Sequence, residues 1–203
     1  MARLLLVRHA PTAETGTKLT GRLPGVSLGD EGRRLAQATA DHLADVKLAA
    51  VYTSPLERTS ETAAIVARPH GLEPVPHEGL LEVDYGSWSG RTLASLYPLK
   101  AWRTLQVSPS RMVFPGGEGL ADAQRRAVAT CEALAGRHRK ANIVLVSHSD
   151  IIRAVTSHYL GQHLDLFERF TVATASVTVI DVPAQGLPVV LAVNSTGEAG
   201  SWR

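Results

Sequence analysis

The sequence predicts an α/β fold: a three-layer sandwich with a mostly parallel central sheet and helices on both faces. Three observations carry this. Short, unbroken apolar runs, such as Leu4 to Val7 and Asn142 to Val146, have the length and pattern of strands buried on both faces. Helical patterns of ten or more residues lie between such runs, and that alternation builds a parallel sheet covered on both sides. The chain has 203 residues, 44% apolar and 20% charged, enough for one good-sized core in an ordinary globular mixture.

Leu4 to Val7 is the first strand, and residues 10 to 29, rich in Thr, Gly and Pro, read as a loop. From Asp30 to about Leu43 the pattern is helical, with Leu35, Ala36, Ala40 and Leu43 on one face. Ala49 to Thr53 is a second strand. Ser54-Pro55 then reads as an N-cap and a proline at the first helical position, opening a helix to about Arg68 that Pro69 and Gly71 end. Residues 72 to 83 hold short extended pieces. Residues 84 to 118, with Trp88, Trp102 and several Gly and Pro, interrupt the alternation and read as an insertion covering one end of the sheet. Gly119 to about His138 is a long helix, Asn142 to Val146 a buried strand, and Asp150 to Leu160 a helix. Ser176 to Val182 and Pro188 to Val193 are late strands, and residues 1–203 are read as a single domain.

Composition narrows the function classes. With 21 Lys plus Arg against 19 Asp plus Glu, net charge is only +2, and no basic stripe marks a nucleic-acid binder. Cys131 is the only cysteine, which excludes an internal disulfide and argues against a zinc-thiolate site; in its apolar helix pattern it reads as a buried small residue. No apolar run approaches the roughly 20 residues needed to span a bilayer. The first residues lack the pattern of a signal peptide. The expectation is a cytoplasmic protein with no membrane and no nucleic-acid partner.

Ligands of open α/β sheets bind beyond the carboxyl ends of the strands. Arg8 and His9 stand at such an end, in RLLLVRHAPTA. His148 stands at another, in VLVSHSD, and Arg58 lies just after the second strand, in YTSPLER. Taken singly, each has an ordinary structural explanation. The apolar-strand-then-histidine layout occurs twice, however, and neighbouring strands would crowd these groups into one crevice. A phosphate, with charge near −2 and three acceptor oxygens, gives such cations a reason to gather. Asp150 reads as the cap of its helix, with pairing to a neighbouring arginine as the alternative.

With those residues in place, the chain resembles the histidine phosphatase superfamily, also called phosphoglycerate-mutase-like, over nearly its whole length. LLLVRHAPT resembles the Arg-His-Gly-x-Thr signature. YTSPLERTSETA is similar to the second motif, and LLEVDYGSWSG to the acid-bearing stretch. PGGEGLADAQRR is similar to the segment opening the long helix, and VLVSHSDIIRA to the last motif. The resemblance implies His9 as nucleophile, forming a phosphohistidine, with Arg8, Arg58 and His148 clamping the phosphoryl oxygens. It implies Glu82 as acid and base, and Thr20 and Gly21 as phosphate-pocket residues. Ala10 stands where the family has Gly, Ser89 replaces a Glu, and Ser149 and Asp150 stand where two glycines are common.

Chemistry adds further expectations. The imidazole of His9 must be neutral to attack, so its positive neighbours help, and a loop carbonyl, Gly21 or a near neighbour, is expected to fix its tautomer. His148 is expected to serve as a protonated imidazole. An apolar pair precedes Glu82 and Trp88 follows, an environment that would raise its pKa. Glu78 is the competing acid, in what reads as an exposed turn. No cofactor and no metal are implied; His158 and His163, with Gly161 between them, fall on different faces. Three readings follow: a phosphatase acting on a small phosphorylated metabolite, a phosphomutase on the same site, or a non-catalytic phospho-ligand binder. The chain is short for a glycolytic mutase and its acid motif ends as in the phosphatase branch. Specificity is expected in the loop 10 to 29 and in residues 84 to 118, where Trp88, Tyr97, Trp102, Arg103 and Arg111 are available. The family allows a homodimer.

Overall fold

The computed structural model describes residues 1–196; the last part of the expected 1–203 domain, residues 197–203, lies outside the described residues. Six strands form one sheet: β1 (Ala2–Arg8), β2 (Leu48–Thr53), β3 (Val75–Pro76), β4 (Asn142–Ser147), β5 (Val177–Val182) and β6 (Val189–Ser195), in the order β3-β2-β4-β1-β5-β6. The first four run parallel; β5 then runs antiparallel to β1, and β6 antiparallel to β5 at the edge. Pro76 lies in β3, the edge strand, where a missing N–H costs least.

Alternation along the strands sorts the core into two layers. Leu4, Leu6, Ile143 and Leu145 face one side with α5 (Leu120–Arg137) and α6 (Ser149–Tyr159). Leu5, Val7, Val144 and Val146 face the other, against α1 (Asp30–Leu43) and α2 (Glu57–Ala67). The central strands are thus apolar on both faces, each buried Leu or Val contributing about 1.5–3 kcal/mol. Cys131 is fully buried in the first layer.

Residues 84 to 118 carry two short helices, α3 (Leu93–Leu96) and α4 (Lys100–Val107). They pack around an aromatic knot in which Phe114 meets Tyr85 at 4.9 Å and Trp88 at 5.4 Å. Trp88 is a core residue, 2% exposed.

One helix start differs from expectation. α2 begins at Glu57 with Leu56 as its cap residue, and no side chain caps it. The Ser54 hydroxyl is engaged elsewhere, and its carbonyl accepts from the Thr59 hydroxyl at 2.8 Å.

Candidate active site

Three parallel strands end side by side. β1 delivers His9, β4 delivers His148 and β2 delivers Ser54. The His9 N–H donates to the Ser147 carbonyl and the Ser54 N–H to the Val146 carbonyl, both at 2.9 Å, so the turns leave the sheet in register. The His9 and His148 rings meet edge to face with centroids 5.3 Å apart. Arg58, the second residue of α2 and 1% exposed, donates from Nη2 to the Gly21 carbonyl at 2.7 Å and comes within 3.3 Å of His148 Nδ1.

Arg58 Nε and Nη1, and Arg8 Nε, have no hydrogen-bond partner among the described residues. Arg8 Nη1 donates to the Val172 carbonyl at 2.6 Å. Buried donors left without acceptors are costly, and an anion with several oxygens is the partner that satisfies guanidiniums in a group.

His9 Nδ1 lies 2.8 Å from the Ala10 carbonyl, so Nδ1 carries the proton and Nε2 keeps a lone pair. The carbonyl that sets the tautomer is therefore that of Ala10; Gly21 uses its own for Arg58. Ala10 keeps a negative φ, so alanine fits this turn, and its N–H donates to Thr62 Oγ1 at 3.1 Å. Gly21 does need its hydrogen: at φ +55°, a Cβ would meet Ser89 Oγ and Tyr85 Cδ2 at 2.9 Å.

Burial first, and Arg58 second, push His9 down to about 3. The same causes push His148 well below the ordinary histidine value, so this imidazole is neutral, contrary to the protonated donor expected of it. With Nδ1 accepting from Arg58, His148 Nε2–H donates to Ser54 Oγ at 2.9 Å. A phosphate dianion beside these rings would pull both values back up.

Glu82 follows the turn at Glu78–Leu80 and is 7% exposed, whereas Glu78 is exposed. Burial, and then the charge of Asp150, push its carboxyl up to about 8, against a hydrogen bond from the Val83 N–H and the pull of Arg58 and Arg8. The stretch is strapped by two arginines around Glu118. Glu118 Oε1 accepts from Arg22 Nη2 at 2.7 Å, Arg126 Nη2 at 2.8 Å and the Asp84 N–H at 3.0 Å. Arg22 Nε then donates to the Glu82 carbonyl, and Arg126 Nη1 to those of Gly79 and Leu81. Gly117 lets the two chain segments touch, since a Cβ there would stand 2.1 Å from the Asp84 carbonyl.

Arg8, His9, Arg58 and Glu82 open into a cavity of about 300 Å³. Thr20, Gly21, Lys18 and Leu19 line it from the loop, and Tyr85, Leu93, Trp102 and Leu105 from the insertion. His148 is fully buried and meets this space only through its contacts with His9 and Arg58. Trp102 is the one member of the proposed specificity set on this cavity. Arg103 and Arg111 line a separate groove, because α4 turns Trp102 and Leu105 inward and Arg103 outward.

Asp150 does not cap α6: the cap residue is His148, and no side chain caps that end. Asp150 Oδ2 instead accepts from the Tyr85 hydroxyl at 2.8 Å. Ser54, Tyr85, Glu118 and Asp150 are site residues that sequence reasoning missed or assigned elsewhere. Ser54 had a usable signal, since it follows β2 as His9 follows β1 and His148 follows β4. Among the described residues no group of three or more His, Cys, Asp or Glu could hold a metal ion.

This architecture, a strand-end pair of histidines with buried arginines, has relatives. The chain matches the histidine phosphatase superfamily (branch 1) over residues 4–196, and it belongs to that family. It is 33% identical over 208 residues to phosphoserine phosphatase 1 of Hydrogenobacter thermophilus, covering 100% of this chain and 96% of that one. It is 34% identical to an acid phosphatase of Mycobacterium tuberculosis, over 87% of this chain and 85% of the other. Among solved structures, Bacillus stearothermophilus YhfR superposes with a TM-score of 0.88 at 27% identity, covering 94% and 96% of the two chains. No helix among the described residues is long and apolar enough to cross a membrane.

Proposed function

We propose that the protein is a phosphatase that hydrolyses a phosphate monoester of a small metabolite through a phosphohistidine at His9. One observation carries the reading: a neutral imidazole, its Nδ1 proton held by Ala10, presents Nε2 in a cavity lined by buried arginines with nitrogens that have no partner among the described residues. The phosphoryl group in flight spreads charge over three oxygens, so catalysis is mostly positioning and electrostatics. Arg8 and Arg58 supply fixed positive charge, and neutral His148 accepts from Arg58 behind them.

In the first step His9 Nε2 forms a bond to phosphorus and the ester oxygen leaves with its electron pair. Glu82, protonated near neutral pH, gives that oxygen its proton. In the second step the Glu82 carboxylate takes a proton from water. The water oxygen bonds to phosphorus, the His9–phosphorus bond breaks, and inorganic phosphate and neutral His9 result. In this reading no metal takes part.

Substrate identity is a matter for assay, and phosphoserine is the first ester to try, given the name of the relative from H. thermophilus. Steady-state phosphate release from p-nitrophenyl phosphate and phosphoserine tests the reading, with His9→Ala as control. Release that needs His9 is the expected result. A 3-phosphoglycerate assay with and without added bisphosphoglycerate separates a mutase, which would interconvert phosphoglycerates faster than it releases phosphate.

A further inference from the structure

The cavity has a second charged wall, beyond the phosphate-facing groups. α6 turns Ser149, Asp150 and Arg153 toward it, and Glu168 joins from the segment that follows the turn at Leu164–Leu166. Asp150 and Arg153 lie near enough to Arg8 for their charges to act on its guanidinium.

Arg153 is held without being satisfied. Its Nη1 lies 3.7 Å from Asp150 Oδ1 and 3.9 Å from Glu168 Oε1, beyond hydrogen-bond range for both. Its Nε is buried with no hydrogen-bond partner among the described residues. Two carboxylates thus orient a guanidinium whose donors stay open, the geometry of a receptor for a planar oxyanion. Lys18, the other cation of the outer cavity, is already paired with Glu14 at 2.9 Å. The wall also keeps acceptors free: Tyr85 occupies one oxygen of Asp150, and the Glu168 side chain is 53% exposed. A ligand with one sign of charge would gain from half of this wall and be repelled by the rest. A ligand with both signs, close together, gains from all of it.

We propose that this wall reads the non-reacting end of the substrate, and that the substrate is a small phosphomonoester carrying a carboxylate beside an ammonium group. The carboxylate sits on Arg153, and the ammonium on Glu168 and Asp150. The inference rests on the phosphatase reading above, and its test separates the two.

Four esters form the panel: O-phospho-L-serine with both groups, O-phosphoethanolamine with the ammonium alone, phosphoglycolate with the carboxylate alone, and p-nitrophenyl phosphate with neither. Phosphoserine should exceed both single-group esters in kcat/KM by roughly tenfold or more, the worth of a charged hydrogen bond. Arg153→Gln should collapse the phosphoserine-to-phosphoethanolamine ratio, and Glu168→Gln the phosphoserine-to-phosphoglycolate ratio. Glu168 is exposed enough to accept replacement, so it decides the matter if Arg153→Gln does not fold. Hydrolysis of all four esters with equal kcat/KM, or ratios that neither variant moves, overturns the inference and leaves the phosphatase reading intact. Failure to hydrolyse any of the four overturns both.

Discussion

The imidazoles of His9 and His148 stand edge to face, ring centroids 5.3 Å apart, although they lie far apart in the sequence. Strand register places them there. β1 and β4 pair in parallel with Arg8 opposite Ser147, so the next residue of each strand arrives at the same level. Arg58 then approaches within 3.3 Å of His148 from a third element. Burial first, and then the charge of Arg58, lower the proton affinity of both imidazoles, and the result is a neutral nucleophile beside fixed positive charge.

Glu82 should matter in proportion to how badly the leaving group needs a proton. Glu82→Gln is expected to lower kcat on an alkyl phosphate by roughly 10²–10⁴, and much less on p-nitrophenyl phosphate, whose phenolate leaves unaided. On alkyl esters the wild-type rate should fall as pH rises through about 8, as Glu82 loses its proton. Equal losses on both esters would remove Glu82 from the acid role.

The same groups shape stability against pH. His9 holds a second proton only below about 3 when folded, against 6.5 ordinarily, and His148 is depressed as well. In that window the unfolded chain holds the extra protons, so stability rises with pH. Glu82 works the other way: between 4.5 and about 8 the folded chain holds the extra proton, so stability falls as pH rises. Below about pH 6.5 the two histidines act against Glu82, and above it the histidines no longer contribute and the raised carboxyl of Glu82 sets the slope. The thermal midpoint should climb to near pH 6.5 and then decline toward 8, with Glu82→Gln abolishing the decline. A decline of the same size in that variant would contradict a buried, protonated Glu82.

Ser54→Ala removes the acceptor of His148 Nε2–H at a site with no exposure to water. A loss of about 1–3 kcal/mol in unfolding free energy is expected, because a buried donor is left unmet. Denaturant titration reads it, and Ser54→Thr should recover part of it. Retention of full stability in the alanine variant would argue that the hydroxyl does not hold the ring.

Glu118→Gln tests the strap under the acid loop. Arg22 and Arg126 lose their shared carboxylate, and both also hold backbone carbonyls of residues 79 to 82. The groups are partly exposed, so stability should fall by only about 1 kcal/mol or less after solvent screening. Activity on alkyl esters should fall more than activity on p-nitrophenyl phosphate, since the strap serves Glu82. An equal effect on both esters would mark Glu118 as purely structural.

Much of this was legible from residues alone, for physical reasons. Unbroken apolar runs reveal strands buried on both faces, which is why β1 and β4 could be read directly. The strand-then-histidine layout, met twice, pointed to the crevice. The reversed direction of β5 was not legible, since a strand's local pattern carries no sign of its direction. Ser54-Pro55 and Asp150 carry the local signature of helix starts, and tertiary partners overrode it: His148 claims the serine, and Tyr85 the aspartate. Glu118 acts through Arg22 and Asp84, distant in sequence, which no local pattern encodes. Burial of His148 reversed the charge expected of it, because desolvation depends on the packed core rather than on neighbours in the chain.

The central claim is that phosphorus bonds to His9 during turnover. Rapid acid-free quenching of the enzyme with saturating substrate, followed by peptide mass spectrometry, should find a phosphoryl group on the His9 imidazole within the first turnover. It should vanish as substrate is exhausted and be absent from His9→Ala. Turnover without any phosphoryl group on His9, or with one on another residue, would contradict the account.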